Sequence, residues 1–164
     1  MKNILVSIDF ENEAGLLIDK AYQFARQMDS KVWLIHIAAP DPEFVGYDVG
    51  PQNERDYVAG ELKNERKMLE RFADHLKGKG INAEGVLIQG ATVDTILQEI
   101  EKLHIDLVII GHHKHRLLYK TFIGNTDAAL VKKSKVPVLV VPLNKSVSKS
   151  PSEVNERVSE VVAP

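Results

Sequence analysis

Short, nearly continuous apolar runs alternate along the chain with longer segments in which apolar residues recur every three or four positions. The apolar runs cover residues 4–8, 31–39, 81–90, 105–111 and 136–143. A continuous run indicates a strand that is buried on both faces, whereas the longer repeat indicates a helix with one buried face. The pattern therefore predicts five strands that are separated by helices.

The segments between the runs predict four helices. Four apolar residues at helical spacing mark the first helix: Leu17, Ala21, Phe24 and Met28. Asn12 can cap the N-terminus of this helix. The second helix is predicted at about residues 53–77, where the sequence GKG ends it, and the fourth at about residues 126–133. The third helix follows Gly90.

Strands and helices that alternate in this way predict an α/β fold, in which a five-stranded parallel sheet carries helices on both faces. Residues 1–143 contain all of these elements and are predicted to form one domain. Residues 144–164 begin as a Ser/Lys linker and end in a predicted short helix with Val154, Val158 and Val161 on one face. A helix of about a dozen residues is marginal alone, so it docks on the domain or on a partner, or it frays.

The composition argues against several classes of protein. A net charge of −2 argues against a dedicated nucleic-acid-binding protein, and no apolar run approaches the roughly 20 residues that span a bilayer. The chain has no cysteine, which excludes disulfides and thiolate metal sites. We therefore expect a soluble, cytoplasmic protein that binds neither nucleic acid nor a membrane.

The motifs of several other α/β proteins are absent from the sequence. It contains no G-x-x-x-x-G-K-[ST] sequence, and no G-x-G-x-x-G follows the first strand. No residues match the pattern of a nucleophile with its base and its orienting group. We therefore expect a binding protein rather than an enzyme, and we assign no catalytic residue.

Five separated pieces of the sequence, in a fixed order, carry a resemblance to a known family. They are ILVSIDF, VWLIHIAAP, GATVDTILQEI, DLVIIGHH and VPVLVVPL. Over residues 2–143 the chain resembles the universal stress protein family. The resemblance implies a strand order of 3-2-1-4-5, a homodimer formed by the last strand, and ATP bound beyond the strand ends in many members. It leaves a further protein partner unidentified.

The implied strand order has a consequence for ligand binding. Strands one and four become neighbours whose helices leave on opposite faces, so a crevice opens beyond their carboxyl ends. Asp9 is expected to end strand one, and Gly111 is expected to end strand four. Both residues are therefore predicted to lie at this crevice.

The stretch after strand four, GHHKHRLLYKTFIGNT, bears on whether an ATP site is kept. ATP-binding members of the family carry G-x2-G-x9-G-[ST], because glycines let backbone N–H groups approach phosphate and the last pair opens a helix. Gly111 and Gly124 match the first and third glycines of this motif. Lys114 replaces the second glycine, and Asn125 replaces the Ser/Thr, so two of the motif's defined positions are changed.

Two interpretations of this altered motif stay open. In the first, ATP or a related adenine nucleotide binds, and local cations compensate for the lost glycine. The binding residues are then Asp9, Ile37, Gly111, His112, Lys114, Gly124, Asn125 and Thr126. In the second, the chain is a dimeric interaction module of the same family that holds no nucleotide. Under either interpretation, ATP hydrolysis is at most slow.

Within the first interpretation, the resemblance gives two of these residues specific roles. It implies that Asp9 contacts the nucleotide near its ribose or adenine, and that Ile37 lines the adenine pocket. Asn125 and Thr126 would lie where a helix begins, and Asn125 can cap that helix. Lys114 has two alternative effects. Its side chain narrows the phosphate channel and hinders binding, or its charge attracts phosphate and favours binding.

The histidines raise the hypothesis of a metal site. His112, His113 and His115 are close in sequence, and imidazole is a common metal ligand. No acid lies within the loop to complete a ligand set, so we expect these histidines to face solvent or phosphate, with no metal site. His36, in the second strand, is expected to be a hydrogen-bonded residue near the core.

The last strand is predicted to mediate a homodimer. In the implied order it lies at an edge of the sheet, where unpaired N–H and C=O groups invite pairing with another chain. Pro137 and Pro142 lack amide donors and limit pairing near the ends, which leaves Val138 to Val141 as the contact. In the alternative, residues 144–164 fold back over this edge and the protein is a monomer.

Overall fold

Five strands and four helices alternate along the part of the chain that the computed structural model describes, residues 1–10, 14–38, 52–113 and 126–143. The strands are β1 (Asn3–Ser7), β2 (Lys31–Ala38), β3 (Ala83–Gln89), β4 (Leu107–His113) and β5 (Val138–Leu143). The helices are α1 (Ala14–Met28), α2 (Gln52–Gly78), α3 (Thr92–Lys102) and α4 (Thr126–Lys133). The predicted number and order of elements are confirmed for these residues.

All five strands are parallel and form one sheet in the order β3-β2-β1-β4-β5. The α/β fold and the strand order 3-2-1-4-5 are thereby confirmed. The chain first builds the sheet outward from β1 to β3, and then crosses back to add β4 and β5 on the other side of β1. The direction of winding therefore reverses between β1 and β4.

Two apolar clusters cover the two faces of the sheet. Residues of α1 and α2 pack on one face with Ile4 and Val6, whereas residues of α3 and α4 pack on the other face with Leu5. These three neighbours in β1 are all 0% exposed, which is why an unbroken apolar run predicts this strand. Burying each such side chain contributes about 1.5–3 kcal/mol.

The predicted apolar face of α1 is wrong at its last position. Leu17 and Ala21 are buried as expected and Phe24 packs against the same cluster, but Met28 is 40% exposed. Met28 is the final residue of α1, after which the chain turns through Asp29 at a φ of 49° into β2. The final residue of the predicted apolar face is therefore partly exposed at the end of the helix.

Two predicted strand ends differ from the structure. β4 continues to His113, so Gly111 lies inside this strand and pairs with Val141 of β5. β1 ends at Ser7, so Asp9 lies two residues beyond the strand. Asn12 and residues 144–164 lie outside the described part of the chain.

Candidate functional site

β1 and β4 separate at the carboxyl edge of the sheet. Their pairing ends at Val6 and Ile109. β1 nevertheless stays paired with β2 as far as Ser7, and β4 stays paired with β5 as far as His113. The pairing of the two inner strands therefore ends before the pairing of each with its outer neighbour, and a crevice is expected at this point, where the winding reverses.

The backbone on the β1 side of the crevice is held by β2. The amide of Ile8 donates to the carbonyl of Ile35 at 2.8 Å. His36 Nδ1 lies 2.8 Å from the carbonyl oxygen of Ile8, and because a carbonyl only accepts, Nδ1 is the donor. These two bonds fix the segment that precedes Asp9. The second bond confirms the expectation that His36 is hydrogen-bonded.

Phe10 and Glu65 complete the surroundings of His36. The Phe10 ring lies 4.4 Å from the imidazole, centroid to centroid, and Glu65 Oε1 of α2 lies 3.7 Å from His36 Nε2. The His36 side chain is only 14% exposed. Its position between two elements and its bond to Ile8 indicate that His36 supports the crevice from the α2 side of the sheet.

Asp9 and Ile37 lie on the β1 and β2 side of the crevice. Asp9 is half-buried and follows Ile8 directly. Ile37 is also half-buried and packs with Ile35 against the cluster under α3 and α4. Because side chains alternate along a strand, Ile37 and His36 lie on opposite faces of the sheet.

Gly111 is explained by packing within the domain. A Cβ at this position would lie 3.1 Å from Leu143 Cγ and 3.5 Å from Leu17 Cδ1, with Leu143 Cδ1 closer still. The missing side chain of Gly111 therefore leaves the space that Leu143 fills on the α1 face. This requirement for a glycine is independent of any ligand.

His112 projects from the opposite face of β4 and contacts α4. Its Nδ1 lies 2.5 Å from Oδ2 of Asp127, which is in the first turn of α4. The His112 side chain is 44% exposed and that of Asp127 is 22% exposed. Asp127 is not among the site residues predicted from the sequence, although an acid in the first turn of a helix is a recognisable feature.

Of the four remaining predicted site residues, the structure describes Thr126. Thr126 is half-buried and begins α4. Lys114, Gly124 and Asn125 lie outside the described residues. The structure thus brings His112 together with the first turn of α4.

The described residues contain no group of three or more His, Cys, Asp or Glu side chains that could hold a metal ion. Nδ1 of His112, a residue that the sequence suggested as a metal ligand, bonds to Asp127. Within the same ranges, no helix is long and apolar enough to cross a membrane.

An open cleft of about 730 Å³ lies at the opposite edge of the sheet. Lys2, Lys31 and Asn82 line it, and they come just before β1, at the start of β2 and just before β3. Its other cations include Arg26 in the last turn of α1 and Lys79 just after α2. Cations at these helix ends complement the helix dipoles, so we assign them to helix stability.

Sequence comparison connects the chain with one family over the whole described domain. A profile of the universal stress protein family matches residues 1–142. The chain is 35% identical over 143 residues to universal stress protein C of Salmonella typhimurium, and the alignment covers 86% of this chain and 95% of that relative.

Solved structures with low sequence identity share the same fold. The chain is 16% identical to universal stress protein UspA from Lactobacillus plantarum, with a TM-score of 0.68 over 85% of this chain and 97% of that one. A universal stress protein in complex with cAMP is 19% identical, with a TM-score of 0.59 over 86% and 96%. One from Archaeoglobus fulgidus in complex with dAMP is 17% identical, with a TM-score of 0.59 over 85% and 97%.

Proposed function

The chain belongs to the universal stress protein family, and we propose that its crevice between β1 and β4 binds an adenine nucleotide, ATP or a relative, as a regulatory ligand. The observation that carries this proposal is the separation of the two strands beyond Val6 and Ile109, while both stay paired with their outer neighbours. Ligands of open α/β sheets bind at such a reversal point.

The two solved relatives named above with cAMP and with dAMP support the choice of an adenine ligand. Both share the fold of this chain along almost their whole length. The proposal extends their ligand class to this protein, and it treats the protein as a binding module of a stress response. Location in the cytoplasm is part of the proposal, and the absence of cysteine is compatible with it.

Each side of the crevice has a proposed role. Ile37 supplies an apolar wall for the adenine, and Asp9 accepts hydrogen bonds from the ribose or the base. The N-terminus of α4 is proposed to face the phosphate end of the ligand, since the backbone N–H groups at a helix N-terminus point out of the helix and attract anions. Lys114 and Gly124 belong to the sequence that precedes this helix.

The direct test is to release and identify small molecules from purified full-length protein by mass spectrometry, and to measure thermal shifts with AMP, ADP and ATP. A ligand at about 100 times its Kd stabilises the native state by about 2.7 kcal/mol, which raises Tm by several degrees. We expect such a shift with at least one of them. No released nucleotide and no shift at millimolar concentrations would refute the proposal.

A pair of variants locates the site. Ile37→Ala removes the proposed adenine wall, and Ile88→Ala is its matched control, because Ile88 pairs with Ile37 on the neighbouring strand and packs on the same face. Both variants lose a comparable half-buried side chain. Only Ile37→Ala is expected to weaken nucleotide binding, whereas unchanged binding by Ile37→Ala would mean that the ligand binds elsewhere.

A second candidate function is a dimeric interaction module that works without a nucleotide. The observation in its favour is that β5 pairs with β4 on one side only, and no further strand of the described sheet lies beyond it. We propose a homodimer through Val138 to Val141 under either function. A dimer without any bound or binding nucleotide would favour this second candidate.

A further inference from the structure

The carboxylate of Asp127 lies at the end of the crevice that the proposed function assigns to phosphate. It belongs to the first turn of α4, and its Oδ2 lies 2.5 Å from His112 Nδ1 at the end of β4. An ionised carboxylate only accepts hydrogen bonds, so the imidazole is the donor. The Nδ1–H of His112 is therefore already used within the protein and is not available to a ligand.

The charge balance at this helix end is unfavourable to a ligand with several phosphates. The N-terminus of a helix carries about +0.5 of an elementary charge, and the carboxylate of Asp127 adds a full negative charge in the same turn. The Asp127 side chain is only 22% exposed, so solvent screens its field less than it would at an open surface.

We propose that Asp127 is a specificity-determining residue that favours adenine ligands of low charge, adenosine and adenosine monophosphates, over ATP. This inference rests on the proposed adenine site and names the ligand class of that site. A ligand with one phosphate or none places little negative charge near Asp127. The triphosphate of ATP brings several charges toward it.

The sequence also carries three cations whose charge acts in the opposite direction. Lys114, Arg116 and Lys120 belong to the sequence between β4 and α4, and their charge attracts phosphate. The Asp127 carboxylate has only His112 as its hydrogen-bond partner within the described residues. A substitution that neutralises Asp127 alone leaves these three cations of the sequence in place, so the change in affinity reports the charge of Asp127.

The test is isothermal titration calorimetry of full-length protein with adenosine, AMP and ATP at low salt and without divalent cations. Asp127→Asn removes the charge and keeps the shape of the side chain. Asp127→Ser is a second neutral variant whose hydroxyl favours the start of a helix. Asp94→Asn is the matched control, because Asp94 is also in the first turn of a helix, α3, and its side chain is 69% exposed.

We expect both Asp127 variants to raise the affinity for ATP relative to adenosine by about fivefold or more, the scale of one unit charge acting on nearby phosphates close to a protein surface. Asp94→Asn should leave the ratio unchanged. An unchanged ratio in folded Asp127 variants that still bind adenosine would overturn the role of Asp127 alone. Absence of binding by every adenine ligand, in all proteins, would instead overturn the proposed function and this inference with it.

Discussion

Leu143 occupies the space in which Gly111 would carry a side chain, so the last residue of β5 packs over the middle of β4. A Cβ on Gly111 would lie 3.1 Å from Leu143 Cγ and still closer to its Cδ1. Leu143 is only 3% exposed and therefore has little freedom to move aside. The two residues form one packing unit near the carboxyl edge of the sheet.

We predict that Gly111→Ala destabilises the protein by about 1–3 kcal/mol, the usual cost of overpacking a core. Urea unfolding of the variant measures this directly. Leu143→Val shortens the clashing side chain, so the double variant should lose less stability than the sum of the two single variants. Strict additivity would contradict the packing account of this glycine.

The strands of the domain could be predicted because a strand that is buried on both faces appears in the sequence as a continuous run of apolar residues. Ile4, Leu5 and Val6 are consecutive apolar residues, and all three are fully buried. The end of the α1 stripe could not be predicted in the same way. Helical spacing places Met28 on the apolar face, but spacing alone does not reveal that this last residue of the helix is partly exposed.

The candidate site was predictable only in part. Asp9 and Gly111 could be placed near one edge because parallel strands share their carboxyl ends. The bond between His112 and Asp127 could not, since these residues are 15 positions apart and meet only through the packing of α4 on β4. The contact of Gly111 with Leu143 likewise depends on the register of two strands, which the glycine motif does not contain.

His36 should be needed for stability through its bond to Ile8. His36→Phe keeps an aromatic ring beside Phe10 but removes the donor, which leaves the buried Ile8 carbonyl unpaired at a cost of about 1–3 kcal/mol. His36→Asn is the matched control, because its side-chain amide can still donate. Urea unfolding should rank wild type above Asn and Asn above Phe. A Phe variant as stable as the Asn variant would contradict the role of the bond, and a more stable Phe variant would mean that the ring, and not the bond, matters.

Asp106 is expected to make stability depend on pH at the acidic end. Its Oδ2 accepts hydrogen bonds from the amides of Lys2 at 2.6 Å and Asn3 at 3.0 Å. These two bonds, the one from Lys2 first, lower the pKa of Asp106 below its ordinary value of 3.8. A lowered folded pKa means that the stabilisation is complete above the unfolded pKa and is lost as the pH falls through the folded pKa.

We therefore predict that Asp106→Asn lowers the free energy of unfolding at pH 7 by about 0.5–1 kcal/mol, a small value because the group is exposed. Tm should fall by about 1–4 °C. The difference from wild type should shrink as the pH drops below 3.8, the ordinary pKa of the group. Asp74→Asn is the control, since among the residues that the structure describes Asp74 pairs only with Lys77, on the surface of α2. A difference that persists unchanged at pH 2 would contradict the role of the carboxylate.

The register of β5 specifies how two copies of the chain could pair. The amide of Val108 donates to the carbonyl of Pro137 at 3.0 Å, and Val108 lies opposite Val138. In a parallel ladder with this register, Leu139 directs its N–H and C=O toward β4, whereas Val138 and Val140 direct theirs outward. Two such edges can pair in antiparallel fashion about a two-fold axis at Leu139. Val138 of each copy then lies opposite Val140 of the other, and each of these two residue pairs exchanges two backbone hydrogen bonds, four in total.

Val140→Pro should therefore convert a homodimer into a monomer. Proline removes the outward N–H of Val140 and leaves the ladder with β4 intact, because that ladder uses the N–H groups of Leu139 and Val141. Val140→Ala keeps the donor and is the matched control, so it should remain a dimer in light scattering on full-length protein. If full-length wild type is a monomer and a chain ending at Leu143 is a dimer, residues 144–164 cover the edge. A monomer in both forms would contradict pairing through β5, because the edge would then be open and still unpaired.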